Sequence, residues 1–257
     1  MASLTGKTAL VTGATSGIGF AIARHFLSLG ASVVIHGRDQ AAASEAAAQL
    51  SPDPDRCTAV SADLRDVSAC RAMMQAAIAW KGRLDVLVNN AGMVDRGYLE
   101  NAPVELWDDI MAVNLRAPFI CLQEAVASMK TRGGSIVNIG SVNAYVGAPK
   151  LGPYSVSKGG LMTLSRNAAS ALNRYKIRVN QLNVGWTLTE GEDAVQKRQG
   201  TRTDWLADAV SIMPFGRLLT PHEIALATAF FASDDSALIT GAVLDMEQYP
   251  VGAPADW

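Results

Sequence analysis

Two side chains in this 257-residue chain are spaced for proton chemistry: Tyr154 and Lys158, four positions apart at the start of an alanine- and leucine-rich stretch. On a helix that spacing places both on one face. A free phenol titrates at about pH 10 and is almost wholly protonated near neutrality. A cation held beside it favours the phenolate and lowers that value, so the pair could exchange a proton with an alcohol or a ketone. Such pairs are common on surface helices, and the case for chemistry rests on what accompanies this one. After the first apolar run comes Thr12-Gly13-Ala14-Thr15-Ser16-Gly17-Ile18-Gly19. Glycines at a strand-to-helix junction let the chain turn sharply, let backbone N–H groups approach a pyrophosphate and let the helix pack close to the sheet. The helix N-terminus then faces the negative charge. The spacing is G-x3-G-x-G, distinct from the GxGxxG dinucleotide pattern. Gly13, Thr15, Ser16, Gly17, Ile18 and Gly19 are the candidate cofactor-facing residues of this turn.

The second apolar run ends Val34-Ile35-His36-Gly37-Arg38-Asp39. In a dinucleotide fold an acid here accepts from the ribose 2′-OH of NAD, whereas an arginine pairs with the 2′-phosphate of NADP. Gly37 stands where the acid is expected and Arg38 follows it, which favours NADP(H). Asp39, one residue further on, keeps NAD(H) open.

These groups need a scaffold, and the pattern of the chain supplies one. Short β-branched runs at Thr8 to Thr12, Ser32 to His36, Thr58 to Ser61, Val86 to Asn89, Ser135 to Gly140, Arg178 to Leu182 and Ala242 to Met246 read as buried strands. Between them, helices are predicted at Ile18 to Leu29, Gln40 to Leu50, Val67 to Lys81, Val104 to Arg132, Ser155 to Tyr175 and Pro221 to Ala232. Thr220-Pro221 with Glu223, and Pro103 with Glu105, are start signals. Alternating strands and helices with right-handed crossovers give an α/β fold: a Rossmann-type, doubly wound, parallel seven-stranded sheet flanked by helices, in a single domain over 1–257. Two segments break the rhythm. Residues 186–215 mix charge and glycine and read as an insertion covering a site, and residues 247–257, with Pro250, Gly252 and Pro254, read as an irregular tail.

Composition excludes several functions. With 22 basic and 24 acidic residues there is no polybasic footprint for nucleic acid or an anionic membrane. Cys57, Cys70 and Cys121 show neither zinc spacing nor a disulfide framework, which fits a reducing cytoplasm. His25, His36 and His222 lack ligand spacing, so no metal is expected. The N-terminus carries no export signal, and the charge-free stretches are short and broken by glycine, so no membrane span is expected.

Taken together, these residues resemble the short-chain dehydrogenase/reductase family along nearly the whole chain. Thr12 to Gly19 resembles its TGxxxGxG turn, Asp63-Leu64 its adenine contact, and Asn89-Asn90-Ala91-Gly92 its NNAG motif. Asn114, Ser141, Tyr154 and Lys158 stand in the order of its catalytic set. The resemblance implies that Tyr154 passes the proton and Ser141 hydrogen-bonds the substrate oxygen. It further implies that Lys158 holds the nicotinamide ribose and depresses the Tyr154 pKa, while Asn114 maintains a water relay to Lys158. Asn90, Ala91 and Gly92 would line the cofactor, as would Thr187 or Thr189, of which Thr187 is taken. The implied activity is hydride transfer between a nicotinamide cofactor and a secondary alcohol/ketone pair, and the implied assembly is a homotetramer. The chain departs from the family at Val184, where a proline is usual, and at Asp245 to Tyr249.

Asn143, Trp186, Asp95, Arg96, Tyr145, Glu190 and Glu192 give the expected substrate side more polarity than a steroid or long acyl chain needs. Ser141, Asn143, Tyr154 and Trp186 are the candidate substrate contacts, and a sugar or polyol is the favoured substrate. A β-ketoacyl thioester reductase is the alternative, and a dinucleotide-sensing regulator is the reading from another class. The tail is either a surface or subunit contact, or a closure in which Glu247, Gln248 and Trp257 help select substrate. On the second reading, deleting the residues after Tyr249 raises KM.

Overall fold

The computed structural model describes residues 2–198 and 204–251. Seven strands form one parallel sheet: β1 (Thr8–Val11), β2 (Ser32–Gly37), β3 (Cys57–Ser61), β4 (Val86–Asn89), β5 (Gly134–Ser141), β6 (Ile177–Val184) and β7 (Val243–Met246). Their spatial order is β3-β2-β1-β4-β5-β6-β7. The order reverses beside β1, which pairs with β2 on one side and β4 on the other. Crossovers leave in opposite directions there and open a crevice at the strands' carboxyl ends, where open α/β sheets bind ligands. β1 and β4 are buried along their whole length, which is why they read as continuous apolar runs.

Helices cover both faces. On one, α1 (Gly17–Ser28), α2 (Gln40–Leu50) and α9 (Pro221–Ala232) bring Ile22, Phe26, Ala46, Ile224 and Phe231 onto Val11, Val33 and Val88. On the other, α3 (Val67–Lys81), α5 (Ala117–Met129) and α6 (Gly152–Leu172) bury Met74, Ile120 and Ala169 against Leu10, Leu87 and Ile136. α9 starts with the expected device: Thr220 and Glu223 form a reciprocal capping box with Pro221 in the first turn.

The structure corrects the sequence reading in three places. The helix expected from Val104 to Arg132 is divided into α4 (Val104–Met111), a π turn at Ala112–Arg116 and α5. Pro118 lacks the N–H that would reach the Asn114 carbonyl, so the regular ladder cannot run through this point. The helix expected to reach Tyr175 as an α-helix ends at Leu172 and closes in a 3-10 turn, Asn173–Tyr175. The stretch after β6 is more regular than expected, with α7 (Glu190–Arg198) and α8 (Trp205–Ser211). Glu190, Glu192 and Asp193 occupy the first turn of α7, where carboxylates suit the helix dipole. Trp186 stacks on Trp205 at 6.1 Å between ring centroids, closing a small apolar cluster under the two helices. Val104–Met129 is apolar and long enough by composition to cross a membrane, yet its most apolar window is 50% buried in the protein. Within the tail, residues 247–251 are bends and turns, while Gly252, Pro254 and Trp257 lie outside the described residues.

Candidate active site

The glycine-rich turn leaves β1 at the crevice. Gly13 and Gly17 take φ of +62° and +56°, a region that L side chains rarely enter. A methyl at Gly13 would sit 2.8 Å from the Ala91 Cα, and one at Gly19 would run into the Gly13 carbonyl. Side chains lock the turn. The Asn90 amide donates to Thr12 O and Gly13 O at 2.9 and 3.0 Å, and the Thr12 hydroxyl accepts from the N–H groups of Asn90 and Ala91 at 3.0 Å. His36, which the sequence reading did not use, pins the turn from β2. Its Nδ1 accepts the Gly13 N–H at 3.1 Å, so its Nε2 carries the proton and donates to Ala62 O at 3.1 Å. Burial lowers the His36 pKa and keeps the ring in the neutral form this geometry needs. The available signal was a lone polar side chain inside a buried apolar strand.

Ser16 makes no capping bond to α1, and the first turn of α1 holds no acid. Its backbone N–H groups therefore remain for an anion, with exposed Ser16 and half-buried Thr15 and Ile18 around them. A methyl at Gly37 would lie 2.6 Å from the Thr15 methyl carbon, so the end of β2 closes against the turn. Arg38 is exposed and makes no hydrogen bond or ion pair among the described residues. Asp39 is engaged elsewhere: its carboxylate caps α2, accepting from Ala42 N at 2.8 Å. After β3, Asp63 is held by the Arg65 guanidinium at 2.6 Å, which with Arg38 keeps its pKa down to about 2, and Leu64 is buried beside it.

Further along the sheet, Ser141 ends β5 next to Val184 of β6. Its hydroxyl oxygen accepts from the Asn143 backbone N–H and side-chain amide, both at 3.2 Å, which turns its proton towards Tyr154 on α6. Lys158, also on α6, is buried; its ammonium donates to Ile139 O at 2.8 Å and lies 5.7 Å from the Tyr154 ring centroid. Burial pushes the Lys158 pKa down to about 8. The expected depression of Tyr154 by Lys158 is absent here. Burial raises the Tyr154 pKa, the Ser141 hydroxyl lowers it, and the Glu192 carboxylate raises it. Lys158 Nζ stands over the ring at 5.7 Å from its centroid, and one of its three N–H donors goes to Ile139 O.

Asn114 lies in the π turn. Its side-chain oxygen accepts Met93 N at 2.7 Å, and its amide donates to Met93 O at 2.9 Å and to the Ser157 hydroxyl at 3.0 Å. Gly92 is the floor between: a methyl there would stand 3.5 Å from Asn114 Oδ1 and 3.6 Å from Lys158 Nζ. After β6, the Thr187 hydroxyl donates to Gly185 O at 3.0 Å, while the Thr189 side chain faces Gly17 and caps α7 by accepting from Glu192 N at 3.0 Å. Trp186 Nε1 donates to Glu192 at 3.0 Å.

A nicotinamide dinucleotide fits this arrangement. The glycine cradle admits backbone that any Cβ would displace, the open helix N-terminus suits a pyrophosphate, and the buried Lys158 ammonium has one hydrogen-bond acceptor among the described residues for its three donors.

Comparison with known proteins agrees. The family model described as enoyl-(acyl carrier protein) reductase matches residues 13–248. D-threitol dehydrogenase of Mycolicibacterium smegmatis is 37% identical, covering 94% of this chain and 91% of its own. An NADP-dependent (R)-specific alcohol dehydrogenase of Lentilactobacillus kefiri is 35% identical, covering 93% and 94%. A crystal structure described as a short-chain alcohol dehydrogenase from Sinorhizobium meliloti 1021 superposes with a TM-score of 0.88 at 35% identity, over 96% of both chains. With the turn, the sheet order and these relatives in agreement, the chain belongs to the short-chain dehydrogenase/reductase family of oxidoreductases.

Proposed function

We propose that this protein is an NADP(H)-preferring dehydrogenase/reductase of a polar secondary alcohol/ketone pair such as a polyol or sugar. The observation that carries it is the convergence of Ser141, Tyr154 and Lys158 beside the glycine cradle, with Asn114 tying the π turn and α6 to the 92–93 floor. A bound nicotinamide supplies or accepts the hydride. Tyr154 exchanges the hydroxyl proton, and Ser141, oriented by Asn143, donates to the substrate oxygen. Lys158 offers its remaining donors to ribose hydroxyls, and its positive charge then favours the phenolate. The turn residues Gly13 to Gly19 receive the pyrophosphate, Asp63 and Leu64 the adenine, Asn90 to Gly92 the ribose side, and Thr187 the carboxamide edge. Arg38 pairs with the 2′-phosphate, since Asp39 is committed to capping α2. The NADP-dependent relative from Lentilactobacillus kefiri and the threitol-oxidising one from Mycolicibacterium smegmatis support this reading.

Of the expected cover 186–215, residues 199–203 lie outside the described residues; 186–198 and 204–215 cover the substrate within the single domain, with Trp186 and Asn143 on the substrate side. Free, buried Cys57, Cys70 and Cys121 fit a cytoplasmic location. Exposed Phe119 and Trp107 on the α4–α5 rod and Leu244 on edge strand β7 suit a homotetramer. A β-ketoacyl thioester reductase is the second reading, favoured by the acyl carrier protein named in the family model.

Steady-state turnover on polyols, sugars, small ketones and a β-ketoacyl thioester, each with NADP(H) and NAD(H), tests the proposal. Polar alcohols turned over best with NADP, and a loss of about 100-fold or more in Tyr154→Phe, are expected. Preference for the thioester, or for NAD, overturns the substrate or cofactor assignment respectively.

A further inference from the structure

Glu192 has a sequence context that invites a structural role. Thr189-Glu190-Gly191-Glu192 has the form of a capping box, in which the glutamate reaches back to the N-cap backbone. Thr189 keeps its half of that bargain, accepting from Glu192 N at 3.0 Å. The glutamate side chain does something else. Its Oε1 accepts from Trp186 Nε1 at 3.0 Å and from the Gln196 amide at 2.6 Å, and the Arg96 guanidinium stands 3.9 Å away. The Glu192 and Arg96 side chains are only 17% and 18% exposed. Burying a carboxylate costs free energy unless it is bonded, and here three groups are arranged to hold it.

The segments that hold it flank Ser141 and Tyr154. Trp186 follows β6 by two residues, and β6 ends at Val184, the register partner of Ser141. Arg96 precedes Gly97, which bridges to Leu151, three residues before Tyr154, and donates its N–H to Lys150 O at 3.0 Å. Glu192 thus spans from the Ser141 side to the Tyr154 side. The Glu192 charge is felt at the Tyr154 phenol, whose pKa it raises.

Resting on the alcohol/ketone reading above, we propose that Glu192 is the specificity-determining residue of the site, accepting a hydrogen bond from a second hydroxyl next to the reacting carbinol and so selecting vicinal diols and polyols. A hydroxyl can donate to this carboxylate, whereas an alkyl or acyl chain would desolvate it without return and an anionic substituent would be repelled.

The matched pair 2,3-butanediol and 2-butanol tests this with Glu192→Gln, which keeps shape and removes the charge. The ratio of kcat/KM for the diol over the mono-alcohol is expected to fall about 10- to 100-fold. Equal losses on both substrates, leaving the ratio unmoved, overturn the proposal, because a carboxylate acting only on Tyr154 or on packing would affect both alike. Cofactor affinity reports whether the variant is folded. If it is not, Glu192→Asp, which withdraws the carboxylate by one methylene, replaces it with the same outcomes. Saturation-transfer NMR of the diol on the wild-type and variant proteins gives a readout free of turnover. Diol binding that depends on Glu192 without any turnover would sink the catalytic reading and keep this one; no diol binding to the wild type would sink this one.

Discussion

At the scale of single residues, the groups proposed to react carry an electrostatic load. Lys158 holds its proton against burial, and its pKa lies at about 8 in the folded chain against an ordinary lysine value of 10.5. Between those values the unfolded chain binds a proton that the native chain does not, so stability rises with pH through that window. Below it, the buried ammonium costs stability. Lys158→Met is expected to abolish turnover while raising the melting midpoint at pH 7 by a few degrees, on the order of what one or two kcal/mol gives in a chain of this size. Calorimetry of both proteins decides it; a lower midpoint in the variant would mean that the Ile139 bond outweighs the desolvation. The identities of Tyr154, Lys158, Ser141 and Asn114 were legible in the sequence because their order and spacing are linear properties. Their protonation was not. The sign of the Tyr154 shift depends on burial and on Glu192, which lies 38 residues further along the chain.

At the scale of elements, the β1–α1 turn and α9 make opposite predictions. Gly19 packs where a methyl would meet the Gly13 carbonyl and the Asn90 amide, so Gly19→Ala must displace the cradle. Cofactor affinity, read by fluorescence titration, is expected to fall about 10-fold or more, since the backbone N–H groups no longer converge. Thr220→Ala removes the capping box of α9 and is expected to cost about 1 kcal/mol of stability while leaving cofactor affinity unchanged. If Thr220→Ala weakened the cofactor instead, α9 would be coupled to the crevice. α9 and the turn were both readable because caps and glycines act locally. The π turn at Asn114 was readable in principle from Pro118, but strong helical periodicity on either side outweighed one missing N–H.

At the scale of the molecule, the tail binds the segment that follows α8 to the sheet edge. The Gln248 side chain accepts from Phe215 N at 2.9 Å and donates to Arg217 O at 2.5 Å, and the Tyr249 hydroxyl donates to Ile212 O. The Glu247 carboxylate packs on Gly185 in the turn after β6. These contacts shift the expected boundary of the tail's effect from the residues after Tyr249 to Gln248 and Tyr249 themselves. Truncation before Gln248 is expected to raise the substrate KM several-fold and leave cofactor affinity alone, because it frees α8 without touching the glycine cradle. Unchanged KM in steady-state kinetics would assign the tail to another role. Sedimentation velocity is expected to show a tetramer, with Phe119→Glu shifting it to smaller species; a wild-type monomer at micromolar concentration would refute the assembly.

The sequence by itself determined the fold class, the glycine-rich turn and the four residues proposed as the catalytic set. Each is encoded by local rules: apolar runs for strands, glycine for positive φ, helical spacing for a shared face. Only the tertiary structure decided which charges meet. It turned Asp39 into a helix cap, His36 into a pin for the glycine turn, and Glu192 from a capping residue into a carboxylate bonded to Trp186 whose charge reaches Tyr154. Such partnerships join positions far apart in the chain, and their energies depend on distance and burial that no linear pattern contains.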